Sequence, residues 1–182
     1  ASLRALEDRL AAFLQLPAAA TFASGTEAIR QTFRALLRHD DHVILDSGAH
    51  SAMFETVLLA GAHPHRSPAG SVEGVERRLI RLSRQPRRGR LVIALPAVSA
   101  YGSRIADLAE LSALARQYGA LLIVDVTHDL GAMGPGGGGV AEIQACQGRV
   151  DILLGSLAKT FGAAGGFAAF RDPGLKAALP DG

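Results

Sequence analysis

The sequence predicts an α/β fold in which helices flank a mainly parallel sheet. Short aliphatic runs alternate along the chain with amphipathic stretches of helical period, which is typical of βαβ units. The runs are apolar throughout, as expected for strands that are buried on both faces. Polar residues follow several of these runs, at the carboxyl edge of the predicted sheet, where open α/β proteins bind their ligands.

The elements can be assigned in order from these patterns. The chain opens with a helical pattern that includes Leu3 and Leu14. Further helices are predicted at residues 26–37, 51–59, 72–82 and 107–118, and another begins near the end of the chain. Strands are predicted at residues 42–45, 91–95, 121–126, 152–154 and 166–170. The glycine-rich run at residues 134–139 is predicted to be a loop that follows a strand.

Composition narrows the class of protein. The 182 residues suffice for one sizeable core, and 48% hydrophobic with 20% charged residues is typical of a soluble domain. No apolar run is long enough to span a membrane, and no signal peptide is apparent. A single cysteine, Cys146, favours a reducing cytoplasmic location. Because a helical pattern is under way at Ala1 and another helix begins shortly before Gly182, we expect residues 1–182 to be one domain truncated at both ends.

The net charge is only +2, but arginines crowd into residues 77–90. A nucleic-acid surface would be expected to interleave such a stretch with aromatic residues, and this one does not. The stretch is therefore predicted to be a solvated helix face that runs into an exposed loop, and no nucleic-acid partner is expected.

Asp125 ends the apolar run at residues 121–124, so its carboxylate is expected at a strand tip. A buried carboxylate needs a cationic partner, and a protonated pyridine nitrogen would serve. When this residue is taken alone, the favoured interpretation is an aspartate that caps the following helix or turn, which is common at strand ends.

Lys159 follows the next predicted strand, and one crossover would return it to the same edge of the sheet. Its apolar, glycine-rich flanks predict a desolvated amine, which suits imine formation with an aldehyde. The hydroxyl of Ser156, three residues earlier, is a candidate phosphate ligand. Gly25 and Thr26 begin a predicted helix whose N-terminal N–H groups could bind phosphate as well, although a simple N-cap explains the same residues.

Two histidines complete the set of candidates. His50 follows a strand and a turn, where its ring could lie over a bound aromatic ring, and His128 lies three residues after Asp125. A metal site formed by these three residues is disfavoured because no helix-spaced pair of ligands supports it.

Residues 124–134 (Val-Asp-Val-Thr-His-Asp-Leu-Gly-Ala-Met-Gly), 155–162 (Gly-Ser-Leu-Ala-Lys-Thr-Phe-Gly) and 165–167 (Gly-Gly-Phe) together resemble the α-oxoamine synthases. These are pyridoxal-phosphate (PLP) enzymes of the aspartate-aminotransferase fold (fold type I), and they join an amino acid to an acyl-CoA with loss of carbon dioxide. The family includes serine palmitoyltransferase, glycine C-acetyltransferase and 8-amino-7-oxononanoate synthase. The resemblance runs from about Leu3 to Phe170, and it implies the large, PLP-binding domain of such an enzyme and a homodimer.

The resemblance also implies roles for individual residues. Gly25, Thr26 and Ser156 would contact the cofactor phosphate, and Lys159 would be the Schiff-base lysine and proton carrier. The ring of PLP would be held by the residues at the other strand tips: Asp125 at its nitrogen, His128 at its phenolic oxygen, His50 stacked on its face and Ser99 nearby.

The motif differs from the usual family pattern, Asp-Glu-Ala-His-Ser, at three positions. Val126 and Thr127 occupy its middle, and Asp129 replaces the serine, where it is expected to add negative charge near the entrance. Ala158 replaces a second serine beside the lysine, which is expected to weaken phosphate binding.

Three functions remain open on this basis. The first is acyl transfer from acyl-CoA to a small amino acid. An aminotransferase or an amino-acid lyase would use the same Lys159 and Asp125. A non-catalytic partner subunit with this fold ranks lower because Lys159 is present.

Overall fold

The computed structural model describes residues 2–180 and shows helices on both faces of one seven-stranded sheet. The ends that the sequence led us to expect as truncated, Ala1 and Asp181–Gly182, lie outside the described residues. The strand order is β1-β7-β6-β5-β4-β2-β3. The strands are β1 (Ala18–Phe22), β2 (His42–Asp46), β3 (His63–Ser67), β4 (Leu91–Pro96), β5 (Ala120–Asp125), β6 (Ile152–Ser156) and β7 (Gly166–Phe170).

The mainly parallel sheet is confirmed. Strands β3, β2, β4, β5 and β6 pair in parallel, whereas β7 is antiparallel to both of its neighbours, β6 and β1. The five predicted strands agree with the observed ones to within two residues at each end. Because β2, β4, β5 and β6 run the same way, their carboxyl ends meet at one edge, which we call the carboxyl edge.

The described helices are α1 (Leu3–Leu14), α2 (Gly25–Leu36), α3 (Ser51–Leu59), α4 (Val72–Ser83), α5 (Leu108–Tyr118), α6 (Gly139–Ile143) and α7 (Pro173–Ala177). All of them except α6 lie where the periodicity predicts a helix. The short helix α6 was not predicted, because it begins in the glycine-rich run that was assigned to a loop. No described helix has the length and hydropathy that a membrane crossing requires.

The core is divided between the two faces of the sheet. Alternate residues of β2 show the division, since Ile44 packs in the layer of α1, α4, α5 and α6, whereas Val43 and Leu45 pack in the layer of α2 and α3. All three are fully buried. This two-sided burial explains why the strands are apolar throughout instead of alternating in polarity.

Two strands, β1 and β3, were not predicted. Strand β1 reads Ala-Ala-Ala-Thr-Phe, and alanine has little intrinsic preference for strands. Strand β3 reads His-Pro-His-Arg-Ser and is mostly exposed, because it forms the edge of the sheet. Proline and charged residues are common on edge strands, where they discourage pairing with other chains, so such strands lack the apolar signal.

Ion pairs lie at the opposite edge of the sheet, which we call the amino edge. Asp41, just before β2, accepts hydrogen bonds from the backbone N–H groups of Arg38 and Arg90 and from the Arg90 guanidinium. Asp151, just before β6, pairs with Arg171 and also accepts the N–H of Leu122 at 2.8 Å. These contacts tie together chain segments that are far apart in sequence.

The arginine-rich stretch is mostly solvated, as predicted. Five of its arginines are exposed, whereas Arg78 donates to the carbonyl of Arg66 and Arg90 forms the pair with Asp41. The exposed members are Arg77, Arg81, Arg84, Arg87 and Arg88.

Candidate functional site

The start of α2 packs directly against the end of β6. Ser24 caps the helix by accepting the N–H of Glu27 at 3.1 Å, which leaves the N–H groups of Gly25 and Thr26 without an acceptor inside the helix. A side chain at Gly25 would put its Cβ 2.8 Å from the Cβ of Ser156, so only glycine allows this approach. The result is a cradle of helix N–H groups beside the Ser156 hydroxyl, which suits an anion such as a phosphate.

Gly166 completes the cradle from β7. A Cβ at this position would collide with the backbone of Ser24 and Gly25, so the absence of a side chain lets the turn before α2 lie flat on the sheet. From the sequence, Gly166 was expected in a strand and in the Gly-Gly-Phe motif at residues 165–167, but no role in the site was predicted for it.

Asp125 lies at the tip of β5 and is half-buried. One carboxylate oxygen accepts the N–H of Thr127 at 3.0 Å, which is the turn-capping contact that the sequence allowed. The other oxygen makes no hydrogen bond to the described residues and can accept one from a cationic partner. The capping role and the candidate pairing role are therefore compatible, because they use different oxygens.

Thr127 connects this tip to the lysine loop. Its side-chain oxygen accepts the N–H of Ser156 at 3.1 Å, across 29 residues of sequence. Ser156 also contacts Gly25, so three separate motifs of the sequence meet at one place on the carboxyl edge. From the sequence, Thr127 stood out only as a departure from the family pattern, and no role was predicted for it.

Lys159 lies in the loop between β6 and β7 and is exposed. The expectation of a desolvated amine is wrong for this chain, because Lys159 and its loop neighbours at residues 158–164 are all exposed. The loop itself is held by backbone hydrogen bonds from Leu157 to Gly165 and from Ala163 to Leu157, both 3.0 Å. The lysine is thus on an ordered loop whose root, Ser156, is fixed at the cradle.

His50 is the N-cap of α3, and its Nδ1 accepts the N–H of Ala52 at 3.1 Å. The preceding turn is ordered by the buried Asp46, which accepts the N–H groups of Gly48 and Gly70, each at 2.7 Å. Burial raises the pKa of Asp46, although these hydrogen bonds oppose the shift. The Nδ1 contact leaves Nε2 of His50 as the ring atom available to a ligand.

Ser99 is buried, and its hydroxyl donates to the carbonyl of Tyr101 at 2.8 Å. Its side chain borders Gly48, where an added Cβ would lie 2.8 Å from the serine oxygen. Ser99 therefore supports the turn that carries His50, and the two residues lie on neighbouring loops of the same edge.

His128 is exposed, whereas Asp129 is fully buried. The expectation that Asp129 adds charge near the entrance is wrong. One of its carboxylate oxygens accepts the N–H of Val140 at the start of α6, at 2.8 Å, and the other has no partner among the described residues. Burial raises the pKa of Asp129 to about 6, and the negative charge of Asp125 adds to the shift.

The predicted residues thus share one edge, but they do not line a closed pocket. An open cleft of about 640 Å³ lies elsewhere, between α1, β1, α2 and α7, and none of the predicted site residues lines it. Among residues 2–180, no group of three or more His, Cys, Asp or Glu side chains is arranged to hold a metal ion.

The strand order and the helix layers are those of a transferase fold like that of serine palmitoyltransferase. The chain belongs to the aminotransferase class I and II family, whose match covers residues 1–180.

Individual relatives agree with this assignment. The chain is 33% identical over 172 residues to serine palmitoyltransferase of Sphingomonas paucimobilis, covering 94% of this chain and 40% of that protein. It is 35% identical over 164 residues to 8-amino-7-oxononanoate synthase of Citrifermentans bemidjiense, covering 90% and 41%. A solved serine palmitoyltransferase from S. paucimobilis with bound PLP-myriocin aldimine superposes with a TM-score of 0.86 at 30% identity, covering 95% of this chain and 43% of that one. The chain therefore spans about 40% of the length of these relatives.

Proposed function

We propose that this chain is the PLP-binding part of a transferase that condenses a small amino acid with an acyl-CoA and releases carbon dioxide. The observation that carries the proposal is the meeting of the Asp125, Ser156 and Gly25 motifs at the root of the Lys159 loop. The similarity to serine palmitoyltransferase and 8-amino-7-oxononanoate synthase supports the reaction class.

The residues present fit PLP. The N–H groups of Gly25 and Thr26 and the hydroxyl of Ser156 would hold its phosphate, and the cradle exists because Gly25 has no side chain. The free oxygen of Asp125 would accept the N–H of a protonated pyridine ring. His128 and His50 would contact the ring from the loops beside it, and Ser99 would keep the His50 turn in place.

When bound, PLP supplies an electron sink for negative charge that develops at the amino-acid Cα. Lys159 would hold the cofactor through Nζ until the substrate amine replaces it, and would then be free to take the Cα proton. Asp125 would keep the ring nitrogen protonated by offering it an anionic partner. The exposure of Lys159 supports the proposal that a second subunit of a homodimer, or further parts of the whole protein, cover the site during turnover. A cytoplasmic location is part of the same proposal.

The experiment is borohydride reduction of the PLP-treated full-length protein, followed by peptide mass mapping. We expect a pyridoxyl adduct on Lys159 and its loss in Lys159→Ala, with activity reduced by at least about 100-fold because a proton carrier is removed. Lys176→Ala is a matched control, since Lys176 is bound to Glu7 at 2.9 Å and lines the separate cleft between α1, β1, α2 and α7. An adduct that is absent, or that persists in Lys159→Ala, contradicts the proposed site.

The reaction class has its own readout. Free CoA and carbon dioxide should appear in equal amounts when the PLP-loaded protein receives an amino acid and an acyl-CoA. Formation of a keto acid without release of CoA would instead identify an aminotransferase that uses the same residues.

A further inference from the structure

The hydrogen bonds between β5 and β6 change partner at the carboxyl edge. Val126 N–H donates to the carbonyl of Leu154 at 2.8 Å, and in a parallel ladder the next bond would run from Ser156 N–H to the carbonyl of Val126. That carbonyl instead accepts the N–H of Leu130 at 3.1 Å, because the chain turns away after Asp125. The ladder therefore ends one bond early, and Ser156 N–H needs another acceptor.

Thr127 supplies that acceptor. Its side-chain oxygen takes the N–H of Ser156 at 3.1 Å, while its own N–H donates to the Asp125 carboxylate at 3.0 Å. One residue thus connects the acid at the tip of β5 with the strand end that leads into the lysine loop. Without the hydroxyl, a half-buried N–H would lose its partner at the place where Gly25 packs on Ser156.

We propose that Thr127 is a positioning residue that fixes Asp125, Ser156 and the Lys159 loop in one arrangement. The hydroxyl extends the β5–β6 ladder by one bond beyond its backbone, and the two strand tips therefore move together. The inference rests on the proposed function, because it concerns how the same site is held. It assigns a role to Thr127, where the family pattern has alanine.

The test compares two variants of the full-length protein. Thr127→Val keeps the shape of the side chain but removes the acceptor, and Thr127→Ser keeps the acceptor. In the cofactor-free protein, we expect amide exchange at Ser156 to become about tenfold faster in Thr127→Val and to return to the wild-type rate in Thr127→Ser, as for loss of one hydrogen bond.

With PLP added, we expect Thr127→Val to bind the cofactor about tenfold more weakly and to shift the pH titration of the absorbance of lysine-bound PLP, whereas Thr127→Ser behaves as wild type. Thr32→Val is the control, since the Thr32 hydroxyl is buried in α2 without a partner among the described residues and lies away from this edge. It should change neither Ser156 exchange nor PLP affinity.

The outcomes separate the two proposals. Unchanged exchange at Ser156 in Thr127→Val overturns the inference on its own. Faster exchange with unaltered cofactor affinity and titration also overturns it, because Thr127 would then be structural only. A wild-type protein that forms no adduct on Lys159 overturns the proposed function.

Discussion

Asp129 is an acid buried without full compensation. Its side chain is 0% exposed, one oxygen has no partner among the described residues, and Asp125 adds a second negative charge nearby. Burial raises its pKa from 3.8 to about 6. Between these two pH values the folded protein holds a proton that the unfolded chain releases, so this group lowers stability as the pH rises through that window.

Asp129→Asn tests this directly, because asparagine can still accept the N–H of Val140 but cannot ionise. We expect the free energy of unfolding of the variant, relative to wild type, to increase by about 1–3 kcal/mol between pH 4 and pH 7.5, from a shift of about two pKa units. Urea unfolding at both pH values measures it. Asp8→Asn, on the exposed surface of α1, should show no such growth. A pH-independent difference for Asp129→Asn would mean that the carboxyl is not protonated in the folded protein.

Individual residues also show how far the sequence predicts the site. Asp125, Ser156 and Lys159 could be assigned to one edge because each follows an apolar run and the parallel topology brings strand ends together. The role of Thr127 could not be predicted, because it depends on where the β5–β6 ladder runs out of backbone acceptors. The burial of Asp129 depends on the path of the glycine-rich loop, and that path cannot be predicted because the loop has no regular pattern of polar and apolar residues.

At the scale of elements, a pair of histidines adds to the parallel backbone ladder that joins strand β3 to β2. Nδ1 of His42 lies 2.9 Å from Nε2 of His65, and the rings are inclined by only 22°, so one proton can be shared between the two nitrogens. Burial lowers the pKa of His65 to about 4, with further contributions from His42, Arg78, His63 and Arg81. A second proton would place two N–H groups against each other and break this contact.

The histidine pair predicts acid sensitivity of the sheet edge. Since the folded pKa of His65 lies below the unfolded value of 6.5, its contribution to stability is complete above pH 6.5 and is lost as the pH falls toward 4. We expect a loss of about 1–2 kcal/mol in β3, allowing for its solvent exposure. Hydrogen exchange of β3 amides at pH 7 and pH 5, corrected for intrinsic rates, should show lower protection at pH 5 than at pH 7.

His65→Gln should remove most of this pH dependence, because glutamine does not titrate. His39→Gln is the control, since the His39 side chain is 82% exposed and lies outside the pair. If β3 keeps the same protection at both pH values in the wild type, the histidine pair does not control the edge.

The same strand illustrates the limit of prediction at this scale. The central strands were predicted within two residues because burial on both faces requires uninterrupted apolar runs. The two end strands of the sheet, β1 and β3, escaped prediction for different reasons: β1 is alanine-rich and packs with small side chains, and β3 is polar because one side faces solvent. These two strands form because they pair with neighbouring strands of the sheet, and the local sequence pattern holds no information about that pairing.

For the whole molecule, the two edges of the sheet serve different purposes. The amino edge carries the Asp41–Arg90 and Asp151–Arg171 ion pairs, whereas the carboxyl edge carries the candidate site at Asp125 and Lys159. Burial by itself would raise the pKa of Asp41, but hydrogen bonds from Arg90 and from backbone N–H groups outweigh it and hold the pKa below its usual value. The carboxylate is therefore a charged anchor that joins residues 38–41 to Arg90.

Asp41→Asn should separate stability from chemistry. Asp41 is 1% exposed, whereas Arg90 is 42% exposed and keeps part of its hydration, so the main loss is that of charge-assisted hydrogen bonds, and we expect the free energy of unfolding to fall by about 1.5–3 kcal/mol. Glu55→Gln, in the exposed Arg30–Glu55 pair at 3.5 Å, should cost less than about 1 kcal/mol. Because the anchor and the site occupy opposite edges, folded Asp41→Asn protein should still form the pyridoxyl adduct on Lys159. Equal losses of stability in the two variants, or loss of the adduct in a variant that remains folded, would show that the two edges are not independent.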